Sequence, residues 1–553
     1  MKSSAKYLIG IFIALVVIKT LLSLSAVTLS IYSDEYIYLK LSESLSHGSY
    51  TVHGMPIQAY PPLYPAVITI ANLTNSEAWR YFLIKLINAI ISTMIIVPAF
   101  FFLKKFVNDN HAIIGTALTA IHPSVFSFTP YVMSENLFYV LFFTTLLFIF
   151  NAIKTQKILW HVLTGILIGL SFLTRTMGLV LIPIYLISYL VIIIKAKKES
   201  KLLWLSLRNI LITMMIAAII MMPWILYNKS FDNGKLLGPY TGEATIPSIG
   251  FAPQLALWAF LYLAVIIIST AIFFPAVTSS LLKKIKTHDE RLILTILLVS
   301  GFILIFTGAN HSLHSNIKSA LLWIHGRPMG RYIDSIAPLM IIIGYIGLIL
   351  QEKKDWKTPL VVFTIISIIA FPILIFFSLG PANNISLTFF EGVKRVIDGA
   401  TVFTPSLLTI IITNMAILGL GAAFLLTKNK IQVITLITLF FLITNATSYY
   451  GAYYNTKMWE NHPQIKVSKW INSNIPQDKI IVIDQEGCKP GDVKKDFMKL
   501  CHEEGHTSLI GTWIKNPIRI SKNEYAGDYF VSTRTLNITS VKEESGISVY
   551  AAH

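Results

Sequence analysis

The sequence predicts an α-helical polytopic membrane protein with a small α/β domain at its C-terminal end. Of its 553 residues, 54% are hydrophobic and only 13% are charged, whereas soluble domains carry about 25% charged residues. The mean hydropathy is +0.65. Apolar segments long enough to cross a bilayer recur up to residue 454, and beyond that point the apolar density falls.

Thirteen segments have the length and composition of membrane spans, which need about 20 apolar residues each. The weakest are 111–128, which Pro123 interrupts, and the pair 159–176 and 178–194, which only a short polar stretch separates. The first apolar segment is too long for a cleavable signal and lacks a small-residue cleavage site, so we expect it to remain as a span. The thirteen spans are 7–30, 79–103, 111–128, 131–153, 159–176, 178–194, 203–227, 253–282, 290–311, 332–351, 357–380, 403–427 and 431–454.

Lysines in every second loop predict the orientation. The positive-inside rule places these loops and the N-terminus in the cytoplasm, so a multi-pass plasma-membrane protein is expected. The net charge of +17 is then a consequence of topology, and no nucleic-acid partner is expected because the basic residues are scattered. The lysines are Lys104, Lys105, Lys154, Lys157, Lys195, Lys197, Lys198, Lys201, Lys283, Lys284, Lys286, Lys353, Lys354, Lys357, Lys428 and Lys430. The segments predicted outside are 31–78, 228–252, 312–331, 381–402 and 455–553.

Residues 455–553 are predicted to form an extracytoplasmic soluble α/β domain. The rest of the chain, 1–454, would be the membrane module and would include the outward loop 31–78. Residues 468–472 have the pattern of an amphipathic helix. Three runs rich in β-branched and aromatic residues predict strands, and they are 479–484, 529–532 and 547–550.

The two cysteines, Cys488 and Cys501, both lie in this tail. Because the tail is predicted on the oxidising side of the membrane, a disulfide is the simpler interpretation. The spacing of these cysteines with His502 and His506 is also compatible with a zinc site.

An acidic pair, Asp34-Glu35, follows the first span directly. Charges at the edge of a bilayer cost free energy, although an acidic pair can also serve only to cap or solvate the end of a span. Apolar residues at helical spacing across 36–45 predict an amphipathic helix on the membrane surface. Asp34 would then be shielded from bulk water and able to take a proton from a hydroxyl group. The run 60–65, with two prolines, predicts a turn into a second surface helix.

Further ionisable residues are predicted in the same outer layer as the acidic pair. They are Glu135, Lys85, Arg175, Arg327 and Arg331. Each basic residue alone could snorkel to the interface or form an ion pair. Together, four cations and two or three acids suit an anionic lipid head group that bears phosphate.

These residues, in this order along the chain, resemble a GT-C glycosyltransferase, the integral-membrane class that uses a polyprenyl-phosphate sugar as donor. The similarity is to the branch of protein O-mannosyltransferases and lipid A aminoarabinose transferases. It covers residues 1–230 fairly well and beyond them is mainly topological. The chain departs from several relatives at Tyr60, where they have a basic residue. The matching features are Asp34-Glu35, Pro61-Pro62, Lys85 with Asn88, Ser134-Glu135, Leu173-Thr174-Arg175, and Pro223-Trp224 with Asn228.

The resemblance implies a GT-C type fold of about thirteen transmembrane helices and a set of roles. Asp34 would be the base that activates an acceptor hydroxyl, and Glu35 would orient it or join a metal. Polyprenyl phosphate would leave from the opposite side of the sugar, which implies inversion. Cations would stabilise the charge that develops on the phosphate. The donor phosphate ligands would be Lys85 and Arg175 first, and Arg327 and Arg331 second.

The sugar and acceptor pocket implied by the resemblance is lined by Tyr60, Pro61, Tyr64, Glu135 and Trp224, although aromatic residues at these depths also occur simply as interfacial belts. A divalent metal at Asp34, Glu35 and Glu135 is the one cofactor that the pattern admits. The carrier is open between undecaprenyl and dolichyl phosphate, and the acceptor between a glycan, a lipid and a protein.

Two other classes of function compete with a transferase. A transporter or lipid flippase should carry charged or helix-breaking residues near the bilayer midplane and repeat-related halves. Here the ionisable residues crowd at the outer face, and a soluble domain follows the last span. A glycan-binding membrane protein without catalysis is the second rival. Loss of activity without loss of lipid binding in an Asp34→Asn variant would argue against it.

Overall fold

The structure is a computed structural model that describes most of the chain in two compact units. The described residues are 2–29, 32–74, 76–195, 200–231, 252–282, 287–314, 321, 323–324, 326–399, 404–488, 510–512 and 514–551. The first unit contains Met1–Leu21, Asn88–Thr129 and Ser134–Gly451. The second unit contains Leu22–Ile87, Pro130–Met133 and Ala452–His553. The predicted division at residue 454 stays a prediction.

Helices dominate the described chain, as the hydropathy pattern predicts. The α-helices are α1 (Lys2–Ser23), α2 (Tyr32–Ser46), α3 (Leu63–Ile68), α4 (Glu77–Thr93), α5 (Ile96–Leu103), α6 (Asp109–Ala120), α7 (Pro123–Phe126), α8 (Glu135–Thr155), α9 (Ile158–Thr174), α10 (Leu181–Lys195), α11 (Ser200–Phe231), α12 (Ala252–Ser269), α13 (Phe273–Leu281), α14 (His288–His314), α15 (Ala337–Leu350), α16 (Lys353–Leu374), α17 (Pro381–Asn384), α18 (Thr388–Asp398), α19 (Leu407–Leu426), α20 (Lys430–Glu460) and α21 (Pro463–Asn474). Short 3-10 helices occur at Thr69–Leu73, Thr176–Val180, Gly330–Tyr332, Asp334–Ile336, Ile385–Leu387, Gln485–Cys488 and Ile510–Thr512.

Ten helical segments of the described chain are long and apolar enough to cross a membrane, and each overlaps a predicted span. The chain is therefore a multi-pass membrane protein. The predicted spans 111–128, 159–176 and 178–194 contain only shorter helices, namely α6 and α7 in the first, α9 in the second and α10 in the third. The count of thirteen therefore stays a prediction. The ten segments are Ser4–Ser23, Glu77–Leu103, Glu135–Thr155, Trp204–Ser230, Ala252–Ser269, His288–His314, Gly330–Leu350, Lys353–Leu374, Leu407–Leu426 and Lys430–Met458.

Proline and glycine explain two local features of the first unit. The apolar run 111–128 breaks because Pro123 has no N–H to donate, and a new helix, α7, starts there with His122 as its N-cap. Gly165 and Gly169 let α9 approach α11 closely. A Cβ atom at Gly165 would lie 2.6 Å from the carbonyl oxygen of Thr213, so this contact requires a residue without a side chain.

The C-terminal part of the second unit contains the predicted α/β fold. Its five strands are β3 (Ile481–Asp484), β4 (Ile518–Ser521), β5 (Tyr529–Ser532), β6 (Ser540–Glu544) and β7 (Ile547–Ala551), in the order β4-β3-β5-β7-β6. Strand β3 is parallel to β4 and β5, whereas β7 is antiparallel to β5 and β6. Val467 and Ile471 of α21 pack with Ile483, Val531 and Val549 of the sheet in one core. A two-stranded hairpin of β1 (Thr51–Val52) and β2 (Met55–Pro56) lies in the loop that follows α2.

The predicted helix and the three predicted strands of the tail are confirmed by α21, β3, β5 and β7. Strands β4 and β6 were not predicted. Both are at the edges of the sheet, and β6 ends in three consecutive charged residues along a mostly solvent-facing strand. Edge strands are commonly protected by such charges, so they lack the apolar run that marks an inner strand.

The predicted surface helix at 36–45 forms as α2, but its surroundings differ from the prediction. Tyr36, Ile37, Tyr38, Leu39 and Leu41 are all buried. A helix on a membrane surface buries one face and leaves the other in water. Helix α2 is instead enclosed by protein, so the apolar residues on its predicted membrane face are part of a protein core.

An ion-pair network joins the far end of α2 to the start of α4 within the second unit. Glu43 pairs with Lys40 at 2.9 Å and also with Arg80, which in turn pairs with Glu77. These side chains line a polar cavity of about 920 Å³. Glu43 follows Asp34 by nine residues, which is two and a half helical turns, so the two carboxylates leave α2 on opposite faces.

We expect Glu43→Gln to destabilise the second unit, and the effect should depend on pH. Burial alone would raise the pKa of Glu43, but the charges of Lys40 and Arg80 outweigh burial and hold the pKa below its ordinary value of 4.5. A lowered pKa stabilises the fold above the unfolded pKa, and this contribution is lost as the pH falls through the folded value. Thermal unfolding should thus show a lower Tm for the variant at pH 7, with the difference shrinking below pH ~4. A constant difference at all pH values would contradict this origin.

Candidate active site

Asp34 lies in the first turn of α2, where a carboxylate is favoured by the partial positive charge of the helix start. The hydroxyl group of Tyr60 donates a hydrogen bond to Asp34 Oδ1 over 2.8 Å. Tyr60 immediately precedes Pro61-Pro62, after which α3 begins, so the turn predicted at 60–65 is confirmed. The proline-stiffened turn thereby holds the tyrosine that orients the predicted base.

Two further tyrosines, Tyr38 and Tyr64, pack next to this contact. The ring of Tyr38 meets those of Tyr60 and Tyr64 edge to face, with centroid distances of 5.1 and 5.2 Å. Tyr64 is fully buried, and Pro61 is buried beside it. Tyr38 was not predicted as a site residue. It is one helical turn beyond Asp34, a spacing that places two side chains on the same face of a helix and could have identified it.

Glu35 is fully buried and has a different task from its neighbour. Its Oε1 accepts a hydrogen bond from the backbone N–H of Val132 over 2.9 Å, which ties α2 to the segment Pro130–Met133 of the same unit. Its charge also acts on Lys85. The predicted role of Glu35 in orienting Asp34 fits this anchoring of the helix start.

Lys85 is buried in α4, and its ammonium group forms hydrogen bonds with carbonyl groups at the end of α1. It donates to the carbonyl oxygen of Ser23 over 3.0 Å and to that of Ala26. The ring of Tyr81 lies 4.6 Å from Nζ. These contacts give Lys85 a structural task at the C-terminal end of a helix. An ammonium group has three donors, so the predicted contact with phosphate stays a prediction.

A second cluster of charges lies in the first unit. The carboxylate of Glu135, at the start of α8, forms an ion pair with Arg175 and lies 3.7 Å from Arg331 Nη1. The side chain of Glu135 is completely buried, and those of Arg175 and Arg331 are 13% and 11% exposed. The rings of Phe138 and Tyr332 lie 5.9 Å from the Arg175 guanidinium. The structure thus brings together three residues that the sequence predicted separately.

Local backbone features position both arginines. Arg175 follows α9 directly, and the turn after it requires Gly178, because a Cβ atom there would overlap the backbone of Phe172. The carbonyl oxygen of Arg331 accepts a hydrogen bond from the hydroxyl group of Tyr139 over 2.8 Å. Tyr139 was not predicted as a site residue, and nothing in the sequence around it distinguishes it from other aromatic residues of a span.

Asp334 also belongs to this cluster, although the sequence analysis assigned it no role. It is 2% exposed, and its carboxylate lies within reach of the side chain of Ser386. Asp334 acts electrostatically on Tyr139, together with Glu135. Asp334 follows Arg331 by three residues, and the two lie in successive 3-10 helices. This short spacing is the sequence feature that could have identified Asp334 as part of the cluster.

The remaining predicted site residues lie in different surroundings. Arg327 is exposed at its side chain, and its carbonyl oxygen accepts a hydrogen bond from Ser312. Trp224 is buried in α11 and stacks on Tyr227 at a centroid distance of 5.1 Å. Their roles at the phosphate and in the sugar pocket stay predictions.

The metal and disulfide predictions find no support in the described residues. In that part of the chain, no three His, Cys, Asp or Glu side chains are grouped so that they could hold a metal ion. The metal predicted at Asp34, Glu35 and Glu135 stays a prediction. Cys501, His502 and His506 and the side chain of Cys488 lie outside the described residues. The disulfide and the alternative zinc site stay predictions.

Comparisons with known proteins found a family model and solved structures that are similar to this chain. Residues 59–227 match the family described as dolichyl-phosphate-mannose-protein mannosyltransferase. The fold is similar to that of ArnT from Cupriavidus metallidurans bound to undecaprenyl phosphate, with a TM-score of 0.60 and 12% identity over 99% of this chain and 98% of that one. The apo structure of the same protein gives a TM-score of 0.59 and 13% identity, with the same coverage of both chains. No curated protein sequence matches this chain.

The chain therefore has the GT-C fold of the ArnT structure, as its resemblance predicted. The match to the mannosyltransferase family is limited to residues 59–227. That match includes Tyr60, Lys85, Glu135 and Arg175, whereas Asp34 precedes it.

Proposed function

We propose that this protein transfers a sugar from a polyprenyl-phosphate donor to an acceptor hydroxyl group at the extracytoplasmic face, with inversion at the anomeric carbon. The observation that carries the proposal is the carboxylate of Asp34, held by Tyr60 at the start of α2 in a chain with the GT-C fold. The bound undecaprenyl phosphate of the similar ArnT structure supports a lipid-phosphate donor. Undecaprenyl and dolichyl carriers both fit, as do glycan, lipid and protein acceptors.

Asp34 is the proposed general base. It accepts the proton of the acceptor hydroxyl as the oxygen forms a bond to the anomeric carbon, while the bond from that carbon to the phosphate oxygen breaks. Only one of its oxygens is needed for this step, and the hydrogen bond from Tyr60 to Oδ1 orients the carboxylate. Attack from the face opposite to the leaving phosphate inverts the anomeric configuration.

The departing phosphate gains a second negative charge and needs cations rather than a general acid. Arg175 and Arg331 supply two guanidinium groups, which suit phosphate because they can bind two of its oxygens at once. Their positions are fixed by Glu135 before the donor arrives, which limits reorganisation during the reaction. Lys85 stays a predicted ligand of the donor phosphate.

The topology proposed with this reaction has the N-terminus in the cytoplasm and residues 455–553 outside. The membrane module, 1–454, would contain the catalytic groups, including those of the loop 31–78. The alternating basic loops support this orientation. Protease cleavage of the tail in intact, right-side-out cells would test it, since a cytoplasmic tail would be protected.

The reaction is tested by incubating the purified protein with a panel of polyprenyl-phosphate sugars in proteoliposomes. We expect one donor to be consumed with release of polyprenyl phosphate. If no donor turns over while a labelled lipid crosses the bilayer, the transferase assignment fails and a flippase replaces it. Binding of glycans without turnover of any donor or movement of lipid would favour the non-catalytic alternative.

Tyr60→Phe should lower kcat about tenfold, because a hydrogen bond to a charged group contributes about 1.5–3 kcal/mol and part of it is recovered by water. The fold should be retained, since the ring and its contact with Tyr38 remain. Tyr525→Phe, which alters an exposed tyrosine of the same unit, is the matched control. A rate equal to that of the wild type would show that the Tyr60 hydroxyl does not position Asp34.

A further inference from the structure

A small cleft in the first unit lies where four helix ends meet. It has a volume of about 260 Å³ and is formed by the end of α15, the start of α16, the end of α19 and the start of α20. Lys353, Lys428 and Lys430 line it, against one acidic residue, Glu352, and Trp356 contributes to its wall. The cleft therefore has an excess of positive charge. None of its residues belongs to the candidate active site.

Two of the four helices begin at the cleft, which adds to this charge. Helix α16 starts at Lys353 and α20 at Lys430, and both exceed twenty residues. The N-terminal end of a helix carries a partial positive charge that attracts anions. At α16 the side chain of Glu352 already accepts a hydrogen bond from a backbone N–H of the first turn, so the charge of this helix start contributes more than its N–H groups. Asn429 caps α20 by accepting a hydrogen bond from the N–H of Gln432 over 2.9 Å, which fixes this helix start.

The lysines are held in place by helix ends across the cleft. Lys353 Nζ donates to the carbonyl oxygen of Leu425 over 2.6 Å and to that of Thr427. Lys430 Nζ donates to the carbonyl oxygen of Ile349 over 2.6 Å. An ammonium group has three donors, so both lysines keep capacity for a ligand. Lys428 is exposed at the mouth.

Apolar side chains next to the cleft indicate what kind of anion fits. Leu350, Leu426 and Ile431 are 55%, 78% and 74% exposed, and each is adjacent in sequence to a lining residue. In a membrane protein such side chains contact acyl chains. The cleft is smaller than the 300–1,000 Å³ typical of a pocket that encloses a whole small molecule. It can therefore hold a head group, while acyl chains would remain on the apolar surface.

We propose that this cleft binds the phosphate group of an anionic glycerophospholipid. A free phosphate ester has the same charge but no acyl chains to contact the exposed apolar side chains next to the cleft. The lipid should therefore bind more tightly. The predicted cytoplasmic position of these lysines agrees, because anionic lipids give the cytoplasmic leaflet a negative surface potential. The site is separate from the donor site and does not depend on the proposed function.

Native mass spectrometry of the full-length protein tests this site with dioleoyl phosphatidylglycerol and dioleoyl phosphatidylcholine as probes. We expect one phosphatidylglycerol to bind in preference to phosphatidylcholine. Lys428→Gln should weaken that binding about tenfold, because a hydrogen bond to a charged group is lost. Lys354→Gln is the matched control. It changes a lysine that is 76% exposed, pairs with Glu352 and does not line the cleft, and it should leave binding unchanged.

Three results would overturn the proposal. Equal binding of the two phospholipids would remove the preference for an anion. Equal losses in Lys428→Gln and Lys354→Gln would reduce the effect to general surface charge. If glycerol 1-phosphate displaced phosphatidylglycerol at the same concentration, the site would be one for soluble phosphate esters. Lys430→Gln gives an independent check, since it should also weaken binding while circular dichroism reports an intact helical fold.

Discussion

Replacing Asp34 by Asn should reduce sugar transfer by about 10²–10⁴-fold, the range that general base catalysis supplies. The amide keeps the shape of the carboxylate and can still accept the hydrogen bond of Tyr60, but it cannot take a proton from the acceptor. Donor binding should be nearly unchanged because Asp34 acts on the acceptor. The measurement is kcat with the donor identified in the proteoliposome panel, together with the Kd of polyprenyl phosphate.

Two acid-to-amide changes on the same helix serve as controls. Glu43→Gln lies on the opposite face of α2 and should leave kcat unchanged at temperatures where the protein is folded. Glu35→Gln keeps an oxygen that can accept from the N–H of Val132, so we expect a smaller loss than for Asp34→Asn. Transfer by Asp34→Asn at the wild-type rate would exclude Asp34 as the base. Equal losses in all three variants would point to damage of α2 instead.

Much of the fold was accessible from the sequence because membrane spans follow from local composition. Each of the ten long helical segments overlaps a predicted span. The errors arise where burial depends on partners distant in sequence. The residues of α2 have the periodicity of a surface helix, and only the structure shows that both of its faces are covered by protein. The edge strand β6 was missed for the converse reason, since a solvated strand has no apolar run.

The site was predictable in its residue types but not in its pairings. Asp34, Glu135 and Arg175 were recognised because charges at the edge of a bilayer are costly. Which acid contacts which base is set by helix packing, for example by Gly165 and Gly169 between α9 and α11, and no local pattern encodes it. For the same reason the contacts of Lys85 with the carbonyl groups of Ser23 and Ala26 were not predicted.

Arg175→Gln should have the second large effect, a loss of about 10²–10³-fold in kcat, comparable to removing one preorganised donor from a site of developing charge. Arg327→Gln is the matched comparison. Its side chain is exposed, whereas that of Arg175 is 13% exposed and paired with Glu135, so it should lose much less activity. Losses of equal size would restore Arg327 as a phosphate ligand of the same rank.

The Arg175 variant also removes the partner of a completely buried carboxylate, and breaking a buried ion pair in this way typically costs about 3–5 kcal/mol. Lower activity could then reflect lower stability alone. The double variant Arg175→Gln/Glu135→Gln separates the two effects, because it removes the unpaired charge as well. We expect its Tm to recover most of the loss while kcat stays low, since the guanidinium is still missing. If kcat recovered together with Tm, the role of Arg175 would be structural, and the charge on the departing phosphate would have to be stabilised by Arg331 and Lys85 instead.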